Sequence, residues 1–159
     1  MFDRFGYMES AGAINETAVN LRKEGDMESI RVLAKENGLD EDIAQAFIEG
    51  DILYLCDDMA AAIGKIEMEC QELKPKEIME DWVNYLKSQC FEDEMVARAV
   101  RRKDRNLKGC IAALLKWSFA NQTSVDKDIL TAAGVTARCT LGIPGMGRAK
   151  KIITEYYKR

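Results

Sequence analysis

The residue types that most often carry catalysis are sparse in this chain. Histidine is absent from its 159 residues, which removes the most common general base and a frequent metal ligand. The cysteines form no C-x-x-C pair, so a structural zinc site is not expected. They are Cys56, Cys70, Cys90, Cys110 and Cys139. Carboxylates are plentiful, but paired acids occur on every charged helix. The sequence therefore predicts a protein that is not an enzyme and that needs no metal or cofactor.

The first candidate binding site is a glycine-rich segment, Leu141 to Lys150, which reads L-G-I-P-G-M-G-R-A-K. It resembles the hairpin of helix-hairpin-helix DNA-binding modules, whose I-P-G-x-G turn directs backbone N–H groups at a phosphate. Glycines let the backbone approach an anion, and a helix N-terminus favours negative charge. Lys150 and Lys151 would add phosphate contacts. The simpler interpretation is a turn that only starts the last helix.

A basic run from Arg98 to Lys108 is the second candidate site, since it holds six bases and a single acid, Asp104. Such a run binds a phosphate backbone, or it is a solvated helix end that pairs with acidic parts of the chain. With the glycine-rich segment, it supplies the candidate bases for contact with nucleic acid or a partner. These are Arg101, Arg102, Arg105, Lys108, Lys150 and Lys151.

An acidic block is the third candidate site. Eight acids and no base lie between Glu36 and Asp58, and residues 1–74 hold seventeen acids against seven bases, whereas residues 75–159 hold ten against sixteen. The simpler interpretation is a solubilising face. The sharper one is a mimic of nucleic acid that occupies a basic channel of a partner. The candidate partner-binding acids are Asp40, Glu41, Asp42, Asp57 and Asp58.

Helices are the elements expected to position these residues. Apolar residues recur at three- and four-residue spacing over 51–73, 76–90 and 107–119, and only two prolines interrupt the chain. The sequence therefore predicts an all-α globule of eight or nine helices, with no sheet of consequence and a glycine-rich turn before the last helix. The helix at 107–119 is expected to be the spine of the core. No apolar run approaches the ~20 residues of a membrane span.

Helix boundaries are predicted from capping residues. Ser10, Asp26 and Asp40 should begin three short helices that end at glycines or Asn37. A sixth helix is expected from Glu92 to about Arg102, with Met95 facing inward. Lys74-Pro75 should end the long helix, because the residue before proline avoids the helical region. This predicts an acidic helical subdomain, 1–74, and a basic helical core, 75–159, which could also form one continuous domain.

The redox state of the cysteines bears on the compartment. An odd number of widely spaced cysteines makes a disulfide framework improbable. The first ten residues lack the apolar stretch of a secretory signal. We therefore expect a cytoplasmic protein.

The second half of the chain is similar to the PcfK-like family. The resemblance starts with Tyr85-Leu86 in a helix and an acid-bearing break at Glu92-Asp93. It continues with N-L-K-G-C-I at 106–111, where the family shows S-L-x-G-C at the start of its main helix; Asn106 replaces the serine. Val125-Asp126 and Glu155-Tyr156-Tyr157 resemble a capped acidic helix and an aromatic-ended one. The resemblance covers about residues 76–157, and Leu141 to Gly147 is an insertion relative to it.

The resemblance implies an accessory protein of conjugative and integrative elements in gut bacteria. Members of the family include inhibitors of type II CRISPR RNA-guided nucleases. Such a nuclease holds guide and target in a basic channel, where a small acidic protein could compete. The resemblance thus predicts a non-catalytic anti-CRISPR protein whose partner is the effector nuclease or its guide-RNA complex.

Two alternatives remain open at this stage. One is a DNA-binding accessory factor that uses the basic run and the glycine-rich turn, although a net charge of −4 favours only weak binding to nucleic acid. The other is a helical adaptor of conjugation with no nucleic-acid role. Neither requires a membrane.

Overall fold

The computed structural model describes residues 3–159, and most of them are helical, which confirms the predicted mainly α class. Nine helices occur in this range: α1 Ala11–Glu24, α2 Met27–Glu36, α3 Glu41–Glu49, α4 Asp58–Leu73, α5 Ile78–Glu92, α6 Glu94–Arg101, α7 Leu107–Ala120, α8 Lys127–Ala132 and α9 Met146–Lys158. Two short strands, β1 Thr123–Ser124 and β2 Thr140–Leu141, pair antiparallel. None of the described helices is both long and apolar enough to cross a bilayer.

Side-chain caps begin α1 and α2 at the predicted Ser10 and Asp26, whereas Asp40 precedes α3 without a capping hydrogen bond from its side chain. The Ser10 hydroxyl accepts from the backbone N–H of Ala13, and Asp26 accepts from that of Ser29. These bonds satisfy helix N–H groups that have no partner inside the helix. Gly25 and Gly50 end α1 and α3 in the left-handed conformation. The three short N-terminal helices are thereby confirmed.

The long helix predicted from Asp51 is wrong at its start, because α4 begins only at Asp58. Residues 51–57 form a non-helical segment that Asn15 of α1 holds in place. The Asn15 side chain donates to the carbonyl of Cys56 at 2.7 Å and accepts from the backbone N–H of Leu55 at 2.9 Å. Leu55 and Cys56 are buried in this segment. Apolar spacing alone could not distinguish it from another helical turn.

The sixth helix also differs from its prediction. It begins at Glu94, after the Asp93 cap, and its buried side is Val96, Ala97, Val100 and Arg101. Met95, predicted to face inward, is 67% exposed. The cap at Asp93 sets the helix start and therefore which side chains share a face.

The core consists of two clusters of buried side chains that share α4. One joins α1, α2 and α3 around Ile14, Leu33 and Phe47, and includes Ala61 of α4. The other joins α5, α6, α7 and α9, and α4 adds Ala62 and Ile66 to it. Helix α4 therefore contributes to both clusters. A division into two subdomains at Pro75 stays a prediction.

The predicted spine helix, α7, packs against α4 and α9. Leu107, Cys110, Leu114 and Ser118 are buried along one side of it, while Trp117 is half-buried. The other side of α7 carries Phe119, which is 80% exposed.

Residues 121–143, here called the arm, connect α7 to α9 and lie outside both clusters. They contain β1, α8 and β2, and every residue of the arm is exposed or half-exposed. The strands are joined at their base, where the Thr140 hydroxyl lies 2.9 Å from the amide oxygen of Gln122. Pro144, which follows the arm, is buried.

The end of α2 and the middle of α4 meet through two glycines. A Cβ atom on Gly64 would overlap the carbonyl oxygen of Asn37, and one on Gly38 would overlap the backbone of Gly64. Gly38 also has a φ of 69°, in the left-handed region that disfavours other residues. The two backbones therefore pack at a distance that excludes any side chain.

We expect Gly64→Ala to lower the free energy of unfolding by about 3 kcal/mol, because the added methyl group meets backbone that cannot rotate away. Gly147→Ala in α9 is the matched control, since a Cβ there has nothing within 4 Å. It should leave stability unchanged or raise it slightly through helix propensity. Urea unfolding followed by circular dichroism measures both variants. Equal stability of the two would contradict the close contact.

Candidate functional site

Three of the predicted acids lie together at the start of α3. Asp40, Glu41 and Asp42 are all exposed, and negative charge at this end of a helix is favoured by the helix dipole. A carboxylate oxygen of Glu41 lies 3.9 Å from the guanidinium of Arg31, yet the Glu41 side chain remains 84% exposed. These acids are therefore accessible to a partner. We call them the α3 acidic patch.

The other two predicted acids have structural roles. Asp57 caps α4 by accepting from the backbone N–H of Ala60 at 2.7 Å. Asp58 accepts from the Nε–H of Arg98 at 2.7 Å, and the same guanidinium donates to Glu94 at 2.6 Å. Neutralising Asp57 or Asp58 would therefore loosen α4 as well as change the surface charge.

Arg101 does not lie on the predicted basic surface, since it is only 1% exposed. Its guanidinium donates to the carbonyl of Met8 at 2.8 Å, to that of Ala61 at 3.3 Å and to the side-chain oxygen of Asn37. Arg101 lies on the apolar side of α6 and is buried there together with Val100. The run of bases in the sequence does not indicate that Arg101 is buried, because successive residues of a helix point to different sides.

Arg102 and Arg105 are largely occupied by contacts within the chain. Their guanidinium groups flank Asp104, at 2.9 Å and 2.7 Å from its carboxylate. Both also donate to the carbonyl of Arg159, at 3.0 Å and 2.8 Å. Arg105 lies over the ring of Tyr156 and has a side chain only 17% exposed. The predicted basic run is thus much less available than its sequence suggests.

Lys108, Lys150 and Lys151 are exposed, as predicted, but the structure does not bring them together. The start of α7 lies beside the end of α9, where the Asn106 N–H donates to the Tyr156 hydroxyl at 3.3 Å. The end of α7 lies beside the start of α9, where Arg148 sits over the ring of Trp117. The two helices are therefore antiparallel, and Lys108 lies at the far end of α9 from Lys150 and Lys151.

The glycine-rich turn leads directly into α9. Gly145 precedes the helix with a φ of −60°, and neither Gly145 nor Gly147 has a positive φ or a neighbour that a Cβ would meet. The fold therefore does not require glycine at these two positions. Lys150 lies over the ring of Tyr85, at 5.2 Å from its centroid, so one cation near the turn is held in place.

The residues of the PcfK-like resemblance form a packing contact between α7 and α9. The Asn106 side chain caps α7 by accepting from Gly109 N–H at 2.7 Å. A Cβ on Gly109 would overlap the Tyr156 hydroxyl, so any larger residue there would displace the Tyr156 side chain. Cys110 is buried, as is Tyr157 of α9. The two parts of the resemblance, 106–111 and 155–157, thus meet in space through structural contacts.

Sequence reasoning missed a buried cation, Lys65 of α4, which is 3% exposed. Its ammonium donates to the carbonyls of Val100, Arg102 and Arg105 at 2.8, 3.0 and 2.5 Å. These oxygens belong to the end of α6 and the turn after it, where a cation complements the helix dipole. Burial lowers the pKa of Lys65 to about 8, against the opposing effect of Glu69. The one sequence signal was a single base within an apolar stretch of α4.

We expect Lys65→Met to lower the free energy of unfolding by about 3–5 kcal/mol, because the buried carbonyl of Val100 and the partly buried carbonyls of Arg102 and Arg105 would lose their donor. Lys76→Met is the matched control, since Lys76 is exposed between α4 and α5, and it should change stability by less than about 0.5 kcal/mol. Chemical unfolding at pH 7 compares the two. Similar values for both variants would show that the carbonyls of α6 do not depend on Lys65.

Three buried thiols predict a loss of stability at alkaline pH. Burial raises the pKa values of Cys56, Cys90 and Cys110 from 9.0 to about 12. Above pH 9 the unfolded chain releases these protons while the folded chain keeps them, so stability falls as pH rises. Lys65 acts in the opposite direction between about pH 8 and 10.5, because its folded-state pKa is lowered. The three thiols lower the free energy of unfolding by more than the one ammonium group of Lys65 raises it.

We therefore expect the free energy of unfolding to fall between pH 9.5 and 10.5, with each buried thiol contributing a slope of about 1.4 kcal/mol per pH unit. In Cys110→Ala the fall should be shallower by that amount. Cys139→Ala, at a half-exposed position, should keep the wild-type slope. Urea titrations across this range measure the slopes. An unchanged slope in Cys110→Ala would contradict the prediction.

Comparison with known proteins adds no assignment to these surfaces. No family model, no curated protein and no solved structure matches the chain.

Proposed function

We propose that this protein is a non-catalytic inhibitor of a type II CRISPR effector nuclease. The kind of partner comes from the PcfK-like resemblance of residues 76–157. The structural observation that supports the proposal is the α3 acidic patch. Its three carboxylates are exposed at the start of one helix and make no buried contact. Such an inhibitor would be encoded by a mobile element and act in the cytoplasm of a bacterial host.

The proposed mechanism is occupancy of a basic surface. A type II nuclease binds its guide–target duplex through backbone charge in a positively charged channel. Asp40, Glu41 and Asp42 present adjacent negative charges that could take the place of phosphates at the edge of such a channel. Charge complementarity of this kind mainly raises the association rate. Inhibition would then follow from binding alone, without turnover.

A second candidate function, DNA binding, is favoured by the start of α9. Gly145 and Gly147 leave the backbone of the first turn uncovered, and Lys150 and Lys151 are exposed nearby. Backbone N–H groups at a helix N-terminus attract phosphate. The surface is smaller than the sequence suggested, because Arg101 is buried and Arg102 and Arg105 have partners within the chain. We therefore place it second.

We expect cleavage of a matched target to fall to zero near an equimolar ratio of this protein to guide-loaded nuclease, with no incubation required. Neutralising the α3 acidic patch (Asp40→Asn, Glu41→Gln, Asp42→Asn) should slow association by about tenfold at low salt. The matched control is Glu72→Gln, Glu80→Gln and Asp81→Asn, which removes three exposed acids elsewhere and should leave the rate near that of the wild type. Nucleases from several type II systems are assayed.

Two results would decide against this proposal. The first is full cleavage at large excess with every nuclease, together with no complex on a sizing column. The second is salt-sensitive duplex binding tighter than about micromolar that Lys150→Glu abolishes, which would favour the DNA-binding function. A larger effect of Lys108→Gln with Lys116→Gln than of the acidic variants would keep the inhibitor but move its contact to α7.

A further inference from the structure

Two aromatic side chains near the end of α7 reach solvent on either side of a cation. Phe119 is 80% exposed. Trp117 is half-buried, and the central carbon of the Arg148 guanidinium lies 5.8 Å from the centroid of its ring. Successive residues of a helix are turned by about 100°, so Lys116 lies between Trp117 and Phe119 on the outer surface of α7. The order across the helix is therefore aromatic ring, cation, aromatic ring.

The cations of this region have no carboxylate partner within the described chain. Lys116, Arg148 and Lys151 are exposed, and among residues 3–159 no carboxylate oxygen lies within 4.0 Å of their charged nitrogens. Arg148 and Lys151 are three residues apart on α9 and are therefore neighbours on its surface. Arg102 and Arg105, by contrast, are both paired with a carboxylate. Positive charge at the end of α7 and the start of α9 is thus left uncompensated.

The two segments that contribute these side chains contain no acid. Residues 105–125 hold three bases and residues 129–154 hold four, with no Asp or Glu in either segment. The acids between them are Asp126, which caps α8, and Asp128 in the first turn of that helix. A surface with cations of one sign and no neighbouring acid along the chain complements a polyanion.

We propose that this surface binds single-stranded nucleic acid. We call it the α7–α9 surface, and it consists of Lys116, Trp117, Phe119, Arg148 and Lys151. Single strands bind to proteins through cations that contact phosphates and aromatic rings on which unpaired bases stack. The order of ring, cation and ring across α7 matches the order of base, phosphate and base along a nucleotide chain. A duplex matches it less well, because its bases are already stacked on one another.

The two aromatic side chains offer different contacts to a base. Phe119 is open to solvent, so a base can stack directly on its ring. Trp117 is covered on one side by Arg148, and the planar guanidinium is itself a surface on which bases stack. The contact with Trp117 also holds Arg148 in place before binding, which lowers the entropic cost of using it. Binding here requires neither the nuclease nor Lys150, so it is separate from both functions considered above.

Fluorescence anisotropy with a labelled strand of about 15 thymidines tests the proposal on the full chain. Three phosphate contacts predict a log–log salt slope of about −2, so affinity should fall about twentyfold between about 50 and 200 mM salt. Phe119→Ala should weaken binding about tenfold, and Lys116→Gln should make the salt slope shallower by about 0.7. Two matched controls should bind like the wild type: Phe91→Ala, at a ring 65% exposed at the end of α5, and Lys35→Gln, at an exposed lysine of α2.

Tryptophan emission locates the bound strand. Stacking on the Trp117 ring should quench its emission, whereas Trp82 is only 4% exposed and should be unaffected. Trp117→Phe should therefore keep most of the binding and lose the quenching.

Three results overturn the proposal. The first is no binding of the single strand up to about 100 µM at low salt, the weak limit of non-specific binding. The second is equal binding by Phe119→Ala and the wild type. The third is a duplex of the same length that binds as tightly as the single strand, because charge alone would then account for binding; we expect the duplex to bind at least about tenfold more weakly.

Discussion

The structure depends on two buried cations, Lys65 and Arg101, which both require oxygen atoms as hydrogen-bond acceptors. An unpaired charge in the interior is strongly unfavourable, so three parts of the chain must converge on α4 and α6. Carbonyls at the end of α6 and in the turn after it accept from Lys65, while Met8 and Asn37 accept from Arg101. Tyr7 completes the set, because its hydroxyl donates to the carbonyl of Arg101 at 2.5 Å. This polar centre explains why the two apolar clusters meet in one orientation.

The same centre determines which charges remain outside. Arg101 is withdrawn into the interior, and Arg102 and Arg105 are held by Asp104, so the basic run contributes more to the fold than to the surface. Exposed bases remain on the arm, on α7 and at the start of α9, and others lie elsewhere, including Lys35 of α2.

Much of the fold could be predicted from caps and apolar spacing. Ser10, Asp26, Asp126 and the glycines after α1 and α3 set helix ends by local chemistry that one sequence contains. The segment at 51–57 could not be predicted, because the bonds that hold it come from Asn15, about forty residues earlier. The interior position of Arg101 depends in the same way on Met8, Ala61 and Asn37, which are remote in sequence. Of the candidate site residues, the sequence correctly predicted the exposed position only of those at helix starts.

The attachment of the arm has an evolutionary consequence. Its two-residue strands and the Gln122–Thr140 contact are the junction with the rest of the molecule, and no side chain of residues 121–143 is buried. Surface segments of this kind accept insertions, deletions and substitutions more readily than packed elements do. Residues 121–143 can therefore change in sequence and length while the polar centre and both apolar clusters stay unchanged.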